Sequence, residues 1–416
     1  MYSEITACRM TGSRELIPVL DLGTQCLTGV FPRSTEQPVG SGPLELVFCP
    51  DGGLVQLRHS CDASEMYGAN YGYRSGLNSG MVRHLTEKVL RLQRLVDLSP
   101  GDVVLDIGSN DSTLLRAYPN TGAALIGIDP TGAKFSDFYP EHIRLIPEFF
   151  SYDAFRAAVG PRQCKVVTSI AMFYDLERPL DFMRDISRLL APDGIWHLEQ
   201  SYLPLMLEAT SYDTICHEHL EYYALRQILW MVERTDLEVI DVELNRVNGG
   251  SFAVTCARRG HGFTVNEDAI QSLLGREDEL GLDRSTTYEA FADAVARHRS
   301  ELIKVIRQIG DSGKSVLGYG ASTKGNVILQ YCGFTAEDIP AIAEVNTDKF
   351  GCLTPGTLIP IISEAEAKAM EPDYLFVLPW HFREHIIARE REFLMGGGRL
   401  LFPMPQIEVV DASVLT

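Results

Sequence analysis

One segment constrains the fold of this chain more than any other: the apolar run Val103–Ile107, which leads into a glycine and then into a helical pattern. Such a run is typical of a buried parallel strand that ends at the ligand-binding edge of a doubly wound sheet. Gly108 would let a ligand approach the backbone because it has no side chain. Asn110 or Asp111 can cap a helix that begins near Ser112. The segment therefore predicts an α/β fold with a ligand at this turn.

A carboxylate follows the next predicted strand, since Leu125–Ile128 leads into Asp129, which can accept hydrogen bonds from ribose hydroxyls. The turn lacks the three-glycine fingerprint of a pyrophosphate site, and it offers acceptors instead of bare amides. Acceptors suit the ammonium group and the sulfonium charge of S-adenosylmethionine, which we predict as the cofactor. A strand-turn-helix without a ligand is the alternative for the glycine turn alone. The predicted cofactor contacts are Asp106, Gly108, Asn110, Asp111 and Asp129.

Length and charge narrow the class of protein. A chain of 416 residues is too long for one compact core, so two or three domains are expected. The net charge of −19 argues against a nucleic-acid or anionic-membrane partner, because both need clustered Lys and Arg. No apolar run reaches membrane-spanning length, and nothing resembles a signal peptide. The nine cysteines are an odd number and fit reduced thiols, so we expect a cytoplasmic protein.

The pattern of elements divides the chain into three parts. Residues 1–80 predict a small β-rich module, and residues 81–285 alternate strands and helices. Residues 286–416 begin with a polar connecting helix, predicted over 286–309, and continue into a second Rossmann-like unit. The fold class is therefore α/β, a Rossmann-like methyltransferase-type domain between two flanking units. Three domains with their own cores are compatible with a monomer. The predicted strands of the middle part are Val103–Ile107, Leu125–Ile128, Arg144–Ile146, Val166–Ala171, Ile195–Gln200, Glu238–Val242 and Ser251–Cys256.

The C-terminal unit opens on a second strand-turn-helix, with Gly318 and Gly320 in the turn. Hydroxyls, an ammonium and free amides at a helix start favour an anion, best matched to phosphate. Lys324 could instead be a solvated helix residue, and Trp380 could be a core residue. The candidate contacts to a phosphorylated substrate are Tyr319, Ser322, Lys324, Asn326, Trp380 and His381.

The segment with the clearest acid-base chemistry is Ser211–Tyr223, which follows the fifth strand of the middle part. It contains His217, Glu218 and His219. Histidine can take a proton near neutral pH, and a neighbouring carboxylate can raise its basicity and hold its tautomer. The spacing does not match a helical zinc site, where two histidines stand four residues apart. A structural histidine pair is the alternative, but the position beside the cofactor domain favours a catalytic base.

Tyrosines near the two predicted ligand sites are further candidates. Tyr71 and Tyr73 lie in a glycine-rich loop that we interpret as a lid, although surface tyrosines are more often packing residues. Tyr174 follows the fourth strand of the middle part, at the ligand edge of the sheet.

The chain resembles the sugar C-methyltransferases, which transfer a methyl group from S-adenosylmethionine to C3 of a nucleotide-linked 4-keto-6-deoxyhexose. The resemblance spans the full length, and no single motif decides it. The motifs that carry it are Asp21-Leu-Gly-x-Gln25, Gly53-Leu-Val-Gln-Leu57, Tyr71-x-Tyr73-x-Ser75-Gly76, Asp106-Ile-Gly-Ser-Asn-Asp111, His217-Glu-His219, Gly249-Gly-Ser251 and Tyr319-Gly-Ala-x-x-Lys-Gly-Asn326.

The resemblance implies a mechanism. A ketone at C4 makes the C3 hydrogen acidic, so a base can remove it and leave an enolate that takes the methyl group with inversion at C3. By similarity, His219 is the base, Glu218 supports it, and a tyrosine of the Tyr71 and Tyr73 loop contacts the sugar. Tyr174 falls where the family offers a polar side chain to the substrate. The oxyanion that forms at O4 also needs a donor, and no residue is assigned to that role.

Two departures from the family pattern matter. Cys216 stands where the family commonly has a tyrosine, so a phenol at that position is not carried over. The family's N-terminal module usually binds zinc through two Cys-x-x-Cys pairs, whereas Cys8 is paired with Thr11 and Cys49 with Gly52. A closed site needs four ligands, and we favour a metal-free module. The residues that could substitute are Cys26, His59 and Cys61.

Several alternatives stay open. An O- or N-methyltransferase on a similar sugar nucleotide would need no acidic C–H bond. An NAD-dependent oxidoreductase would use the Gly318 turn, with Glu344 as its ribose acceptor, and a non-catalytic binding module is the least favoured class. The nucleotide is thymidine or guanosine diphosphate, and the sequence does not decide between them.

Overall fold

A computed structural model describes residues 2–62, 66–67 and 72–415. Tyr71, one of the lid candidates, lies outside the described residues. In chain order the strands of the N-terminal part are β1 (Tyr2–Glu4), β2 (Ile17–Cys26), β3 (Ser41–Cys49), β4 (Leu54–Leu57) and β5 (His59–Cys61). Those of the middle part are β6 (Val103–Ile107), β7 (Ala124–Ile128), β8 (Ile143–Ile146), β9 (Cys164–Ile170), β10 (Leu190–Ser201), β11 (Glu221–Tyr222), β12 (Leu237–Asn245) and β13 (Ser251–Arg258). Those of the C-terminal part are β14 (Val316–Tyr319), β15 (Ile342–Glu344), β16 (Ile361–Ser363), β17 (Tyr374–Val377), β18 (Arg399–Phe402) and β19 (Glu408–Val410).

The helices follow the same alternation. Before the C-terminal sheet they are α1 (Ser79–Leu95), α2 (Thr113–Arg116), α3 (Tyr152–Val159), α4 (Pro179–Leu189), α5 (Leu203–Glu208), α6 (Leu225–Val232), α7 (Glu267–Leu280) and α8 (Ser285–Asp311). Within it they are α9 (Thr323–Cys332), α10 (Glu364–Ala369), α11 (Arg383–Arg389) and α12 (Arg391–Met395). No helix among the described residues is long and apolar enough to cross a membrane.

The central sheet has seven strands in the order β12-β13-β10-β9-β6-β7-β8. Strand β6 lies between β9 and β7 and pairs with both in parallel. Its residues are buried on both faces, as is typical of a central strand in a parallel sheet. Strands β12 and β13 form an antiparallel pair at the edge, with no α-helix between them. The sequence prediction of a Rossmann-like methyltransferase sheet is confirmed.

The N-terminal sheet is completed from the middle part of the chain. Its four strands run in the order β11-β4-β3-β2. Strand β11 begins two residues after His219, and the Leu57 amide donates to the Leu220 carbonyl at 2.8 Å. The His217–His219 segment is therefore held between the central sheet and the N-terminal sheet, and neither sheet positions it alone.

The C-terminal sheet has six strands in the order β16-β15-β14-β17-β18-β19. The strand expected over residues 339–342 lies instead at Ile342–Glu344. Pro340 has no amide hydrogen to donate to a neighbouring strand, which explains why the ladder starts after it. The connecting helix was expected over residues 286–309 and spans Ser285–Asp311.

The N-terminal and C-terminal sheets share one hydrophobic core. Leu46 and Phe48 of β3 belong to the same buried cluster as Tyr288 of α8 and Phe376 of β17. The central sheet has separate clusters, which contain Trp196 on one face and Val104 on the other. The chain ends thus pack together around α8, and this packing brings α9 toward the His217–His219 segment.

Candidate active site

The first glycine turn lies at the carboxyl end of β6. Gly108 has a φ of +73°, and a Cβ built on it would lie 3.2 Å from the Met172 side chain, so the turn needs glycine here. Asp106 is buried and accepts a hydrogen bond from the Thr168 hydroxyl at 2.6 Å. Burial raises the pKa of Asp106 to about 7.

Asp129 closes this turn from the neighbouring strand. One of its oxygens accepts from the Asn110 amide at 2.7 Å, and the other accepts from the Thr131 amide at 2.6 Å. A ribose hydroxyl could share this carboxylate, because each oxygen has more than one acceptor site. The turn therefore fits the adenosine end of S-adenosylmethionine.

Asn110 and Asp111 tie the turn to the N-terminal part of the chain. The Asn110 side chain accepts from the Ser75 amide at 2.9 Å and donates to the Tyr73 carbonyl at 3.1 Å. Asp111 accepts from the Gly76 amide at 3.0 Å. The Tyr73–Gly76 segment thus rests on the cofactor turn, and Tyr73 is 46% exposed. Its role as a lid stays a prediction.

His219 has the geometry of a general base. Its Nδ1 lies 2.7 Å from the Thr214 carbonyl, which can only accept, so Nδ1 carries the proton and Nε2 has a free lone pair. Burial lowers the pKa of His219 to about 4, which keeps the imidazole neutral at pH 7. The Tyr174 ring packs against it with ring centroids 4.3 Å apart. The structure therefore brings together two of the predicted catalytic residues.

The carboxylates near His219 have unusual environments. Burial raises the pKa of Glu218 to about 7, and a Cβ on Gly29 would lie 3.0 Å from its Oε1. Asp175 accepts a hydrogen bond from the Tyr67 hydroxyl at 2.7 Å. Burial, with a contribution from Glu218, raises the pKa of Asp175. Glu218 was expected to hold the tautomer of His219, but the Thr214 carbonyl does so.

His217 points away from this cluster. Its Nε2 lies 3.0 Å from the Gly42 carbonyl of β3, and the side chain is buried. Burial lowers its pKa. The structure thus separates the two histidines: His219 is partly exposed, whereas His217 contacts the N-terminal sheet.

The predicted substrate residues of the C-terminal unit fall into two groups, and the first group has structural partners. Ser322 caps α9, where its hydroxyl accepts from the Gly325 amide at 3.0 Å. The Tyr319 hydroxyl donates to Glu390 at 2.8 Å. The Asn326 side chain donates to the Thr28 carbonyl at 2.8 Å and so joins α9 to the N-terminal part.

The second group faces the middle part of the chain. The Lys324 ammonium donates to the Asn248 carbonyl at 2.6 Å, and the Trp380 indole donates to Asp213 at 2.7 Å. His381 is adjacent to Trp380, and burial, together with the charge of Lys324, lowers its pKa to about 3. These three predicted residues therefore lie where α9 and the end of β17 meet the central domain.

Some residues at this site were not singled out from the sequence. Asp213 and Thr214 lie in the same segment as His219, but neither shows its role before the segment is folded. Gln200 ends a stretch of β10, is buried, and has no hydrogen-bond partner for either side-chain atom among the described residues. For Gln200, the only signal in the sequence was that a polar residue stands near the carboxyl end of a buried strand.

The residues present do not fit a closed zinc site. Cys8 and Cys49 share a hydrogen bond, which lowers the pKa of Cys8 and raises that of Cys49. Thr11 also lies within hydrogen-bond range of Cys49, at 3.5 Å. A Cβ built on Gly52 would overlap the side chains of Met10 and Thr11, so a cysteine ligand at position 52 would not fit unless those side chains moved.

Two of the proposed substitutes, Cys26 and Cys61, lie at the opposite end of β3 from Cys49. Cys26 pairs with Ser41, and a Cβ on Gly42 would lie 3.3 Å from the sulfur of Cys61. Cys49 ends the same strand, β3, about 23 Å away at ~3.3 Å per residue. In the part of the chain that the structure describes, no group of three or more His, Cys, Asp or Glu could hold a metal ion.

Comparison with known proteins agrees with the fold. Residues 79–242 match a family model described as "Methyltransferase domain", and residues 246–405 match "C-methyltransferase C-terminal domain". Residues 8–67 match "Putative zinc binding domain". The central sheet and its glycine turn therefore belong to a methyltransferase, and the prediction of S-adenosylmethionine as cofactor is confirmed.

A relative defines the family more narrowly. The chain is 30% identical to the C-methyltransferase NovU of Streptomyces niveus over 412 residues, which is 98% of each chain. The chain belongs to the C-methyltransferase family. Among solved structures, it is similar to the N-methyltransferase NodS of Bradyrhizobium japonicum (12% identity, 44% of this chain and 98% of that one, TM-score 0.31). It is also similar to the CcbJ methyltransferase of Streptomyces caelestis (12% identity, 42% of this chain and 89% of that one, TM-score 0.32).

Proposed function

We propose that this enzyme methylates C3 of a nucleotide-linked 4-keto-6-deoxyhexose in the biosynthesis of a branched deoxysugar. The observation that carries the proposal is His219: a neutral imidazole with its Nδ1 proton fixed on the Thr214 carbonyl and its Nε2 available as a base. C-methylation at a position next to a ketone needs such a base, because the carbon must lose a proton before it can act as a nucleophile.

The residues around His219 support its role as the base. Thr214 holds the ring in one tautomer, so Nε2 needs no reorganisation before it accepts the C3 proton. Tyr174 packs on the ring and limits its rotation. Glu218 is close in sequence and partly exposed, and with a pKa raised to about 7 it can donate a hydrogen bond to a sugar hydroxyl in its protonated form.

The cofactor would lie at the turn after β6. S-adenosylmethionine supplies an electrophilic methyl group when it is bound. Asp129 would accept hydrogen bonds from its ribose, and the carboxyl of Asp106 would face its cationic groups. The side-chain acceptors of Asn110 and Asp111, expected from the sequence to contact the cofactor, accept instead from the Ser75 and Gly76 amides. The Tyr73–Gly76 segment, which Asn110 and Asp111 hold in place, would then help to exclude water from the site.

The sugar nucleotide would reach His219 from the C-terminal sheet. Trp380 and His381 are aromatic groups at the end of β17, and Asp213 anchors the indole through its N–H. Trp380 is buried in the hydrophobic core that the N-terminal and C-terminal sheets share, so the ring that could pack against a base or a sugar is that of His381, which is partly exposed. Ser322, Tyr319 and Asn326 would shape this entry through their contacts within the C-terminal unit.

The proposal is tested by mass spectrometry of the enzyme incubated with S-adenosylmethionine and with the thymidine or the guanosine diphosphate form of the 4-keto-6-deoxyhexose. Parallel reactions in heavy water, without S-adenosylmethionine, report exchange at C3. We expect the mass of one methylene group to be gained with one nucleotide, and deuterium to enter C3, both in a manner that depends on His219. Methyl transfer without any C3 exchange would instead favour an O- or N-methyltransferase.

A further inference from the structure

Lys324 belongs to α9 of the C-terminal unit, but its side chain contacts the middle domain. It is the second residue of α9, and its ammonium lies 2.6 Å from the Asn248 carbonyl, in the loop between β12 and β13. Helix α9 packs closely against the turn at Tyr212–Thr214, the same turn that holds His219 through the Thr214 carbonyl. The lysine thus reaches across the boundary between two sheets.

The charges around Lys324 show what it faces. Burial lowers the pKa of Lys324, and the neighbouring carboxyl of Asp213 opposes this by favouring the protonated ammonium. In return, the charge of Lys324 adds to burial, the main cause, in lowering the pKa values of His219 and His381. The charge of Lys324 therefore acts on the site that α9 reaches by packing against the Tyr212–Thr214 turn. A buried carboxylate, Asp213, keeps the ammonium from being an isolated charge.

The hydrogen bonds of Lys324 leave it able to bind a further acceptor. An ammonium has three donor hydrogens, and the structure shows one of them used by the Asn248 carbonyl. Cys216, which stands where the family commonly has a tyrosine, provides no phenol donor near this point. An oxygen atom of a substrate next to His219 would be the natural partner of the remaining donors.

We propose that Lys324 donates a hydrogen bond to O4 of the bound 4-keto sugar and stabilises the enolate that forms when His219 removes the C3 proton. This inference rests on the proposed function and assigns to Lys324 a catalytic role in place of the diphosphate contact expected from the sequence. C3 and O4 are both bonded to C4, so a base at C3 and a donor at O4 must lie close together. His219 is held by the turn at Tyr212–Thr214, and α9, which carries Lys324 as its second residue, packs against the same turn.

The step balances in atoms and electrons. The C3–H bond breaks, its proton goes to Nε2 of His219, and its electron pair forms the C3–C4 double bond. The electrons of the C4–O4 double bond move to O4, where the Lys324 ammonium offsets the negative charge. When C3 takes the methyl group, the bond between that carbon and the sulfonium sulfur of S-adenosylmethionine would break, its electron pair would stay on sulfur, and S-adenosylhomocysteine would leave as a neutral thioether. The C4–O4 carbonyl is then restored, and His219 releases its proton to solvent. Stabilisation of such an oxyanion by one positioned donor contributes about 10²- to 10³-fold in rate.

The test separates the oxyanion role from a diphosphate role. Lys324→Met is compared with the wild-type enzyme for two quantities: deuterium entry at C3 in heavy water, and calorimetric affinity for the nucleoside diphosphate without its sugar. We expect exchange to fall by about 10²- to 10³-fold with no change in nucleoside diphosphate affinity. Lys368→Met, which removes an exposed lysine of α10, is the matched control and should change neither quantity.

Folding is checked separately, because Lys324 also contacts Asn248. S-adenosylmethionine affinity of Lys324→Met should equal that of the wild type, and Lys324→Arg should restore part of the exchange since it keeps a cationic donor. Wild-type exchange in Lys324→Met, or a loss of nucleoside diphosphate affinity, would overturn the proposal. If the wild-type enzyme neither exchanges nor methylates the 4-keto sugar, the proposed function itself fails, and the role of Lys324 fails with it.

Discussion

The two Rossmann-like sheets each have a carboxylate that accepts a hydrogen bond from the amide of a glycine turn, but the side chains that follow the two turns have different roles. In the central sheet Asp129 follows β7 and accepts from the Asn110 amide of the turn after β6 at 2.7 Å. In the C-terminal sheet Glu344 ends β15 and accepts from the Ala321 amide of the turn after β14 at 2.9 Å. In each case a carboxylate on the neighbouring parallel strand fixes a glycine turn at the edge of the sheet.

The difference lies in the side chains that follow each turn. Asn110 and Asp111 reach back to the amides of Ser75 and Gly76 and so hold a covering segment over the cofactor turn. Lys324 instead reaches out of its own sheet to the Asn248 carbonyl of the other. A strand-turn-helix with an acidic partner therefore does not by itself define a nucleotide site. The contacts of the next few residues decide whether the turn binds a cofactor or delivers a side chain to another site.

The largest expected effect concerns the base that lies between the two sheets. His219→Gln should reduce both methyl transfer and C3 exchange by about 10²- to 10⁴-fold, because a positioned general base contributes that much to a rate. The amide can still donate to the Thr214 carbonyl, so the fold should be kept. Product formation is measured by mass spectrometry and S-adenosylmethionine affinity by calorimetry. Full activity in this variant would show that the base lies elsewhere.

A paired substitution tests whether the two turns really differ. Asp129→Asn should weaken S-adenosylmethionine binding by about 10- to 100-fold, since a hydrogen bond to a charged group contributes about 1.5–3 kcal/mol. Glu344→Gln is the matched control, because it alters the equivalent carboxylate of the C-terminal sheet, and it should leave that affinity unchanged. Calorimetric titration of both variants measures the effect. Equal losses in the two variants would contradict the division of labour between the sheets.

The pH dependence of catalysis should reflect the buried position of His219. Its pKa is lowered to about 4, below the ordinary value of about 6.5. The base is therefore active above its folded-state pKa, and kcat/KM should hold as the pH falls through 6.5 and decline only near 4. Because the pKa of Glu218 is raised to about 7, Glu218→Gln is measured alongside. If kcat/KM falls near pH 6.5 and still does so in Glu218→Gln, the lowered pKa of His219 would be contradicted.

The burial of three histidines also affects how the stability of the protein depends on pH. The pKa values of His217, His219 and His381 are all lowered by burial, so the folded state binds fewer protons than the unfolded state as the pH falls. Their contribution to stability is present above about pH 6.5 and is lost as the pH falls toward their folded-state values. The raised pKa values of Asp106 and Glu218 act in the opposite direction, so the histidine contribution is measured as a difference between the wild type and the variant His217→Gln. Relative to the wild type, the melting temperature of this variant should increase as the pH falls from 8 to 5, and a constant difference would contradict the buried neutral state of His217.

The smallest expected effect is that of removing zinc with a chelator. Incubation with a zinc chelator should change neither the melting temperature nor the activity, because Cys8 and Cys49 hydrogen-bond to each other and no group of three or more ligand side chains surrounds them among the described residues. Metal analysis by mass spectrometry checks the same point directly. Stoichiometric zinc that is lost on chelation together with folding would contradict this interpretation.

The sequence predicted the central sheet well because each of its strands shows as a local pattern of apolar residues. The apolar run Val103–Ile107 and the alternation of strands with helices follow from hydrophobic periodicity alone, and the strand bounds agree within a few residues. The N-terminal and C-terminal strands were harder to place. Strands β16 and β19 are three residues each and too short to show a period.

The site was predicted in part. His219 was chosen from its type and neighbours, but Thr214 as its partner requires a turn that only the folded chain shows. Strand β11 joins the N-terminal sheet through contacts with β4, more than 160 residues earlier in the chain. Lys324 meets Asn248 across a separation of 76 residues. Local sequence patterns do not show such long-range contacts, so the sequence named candidate residues without showing which of them meet in the folded chain.

The measurement that tests the central claim most directly is a carbon–proton NMR correlation spectrum of the product made with a carbon-13-labelled methyl group. The account predicts that the labelled methyl is bonded to C3 of the sugar, next to the C4 ketone. A methyl group bonded to oxygen, to nitrogen or to another ring carbon would contradict it.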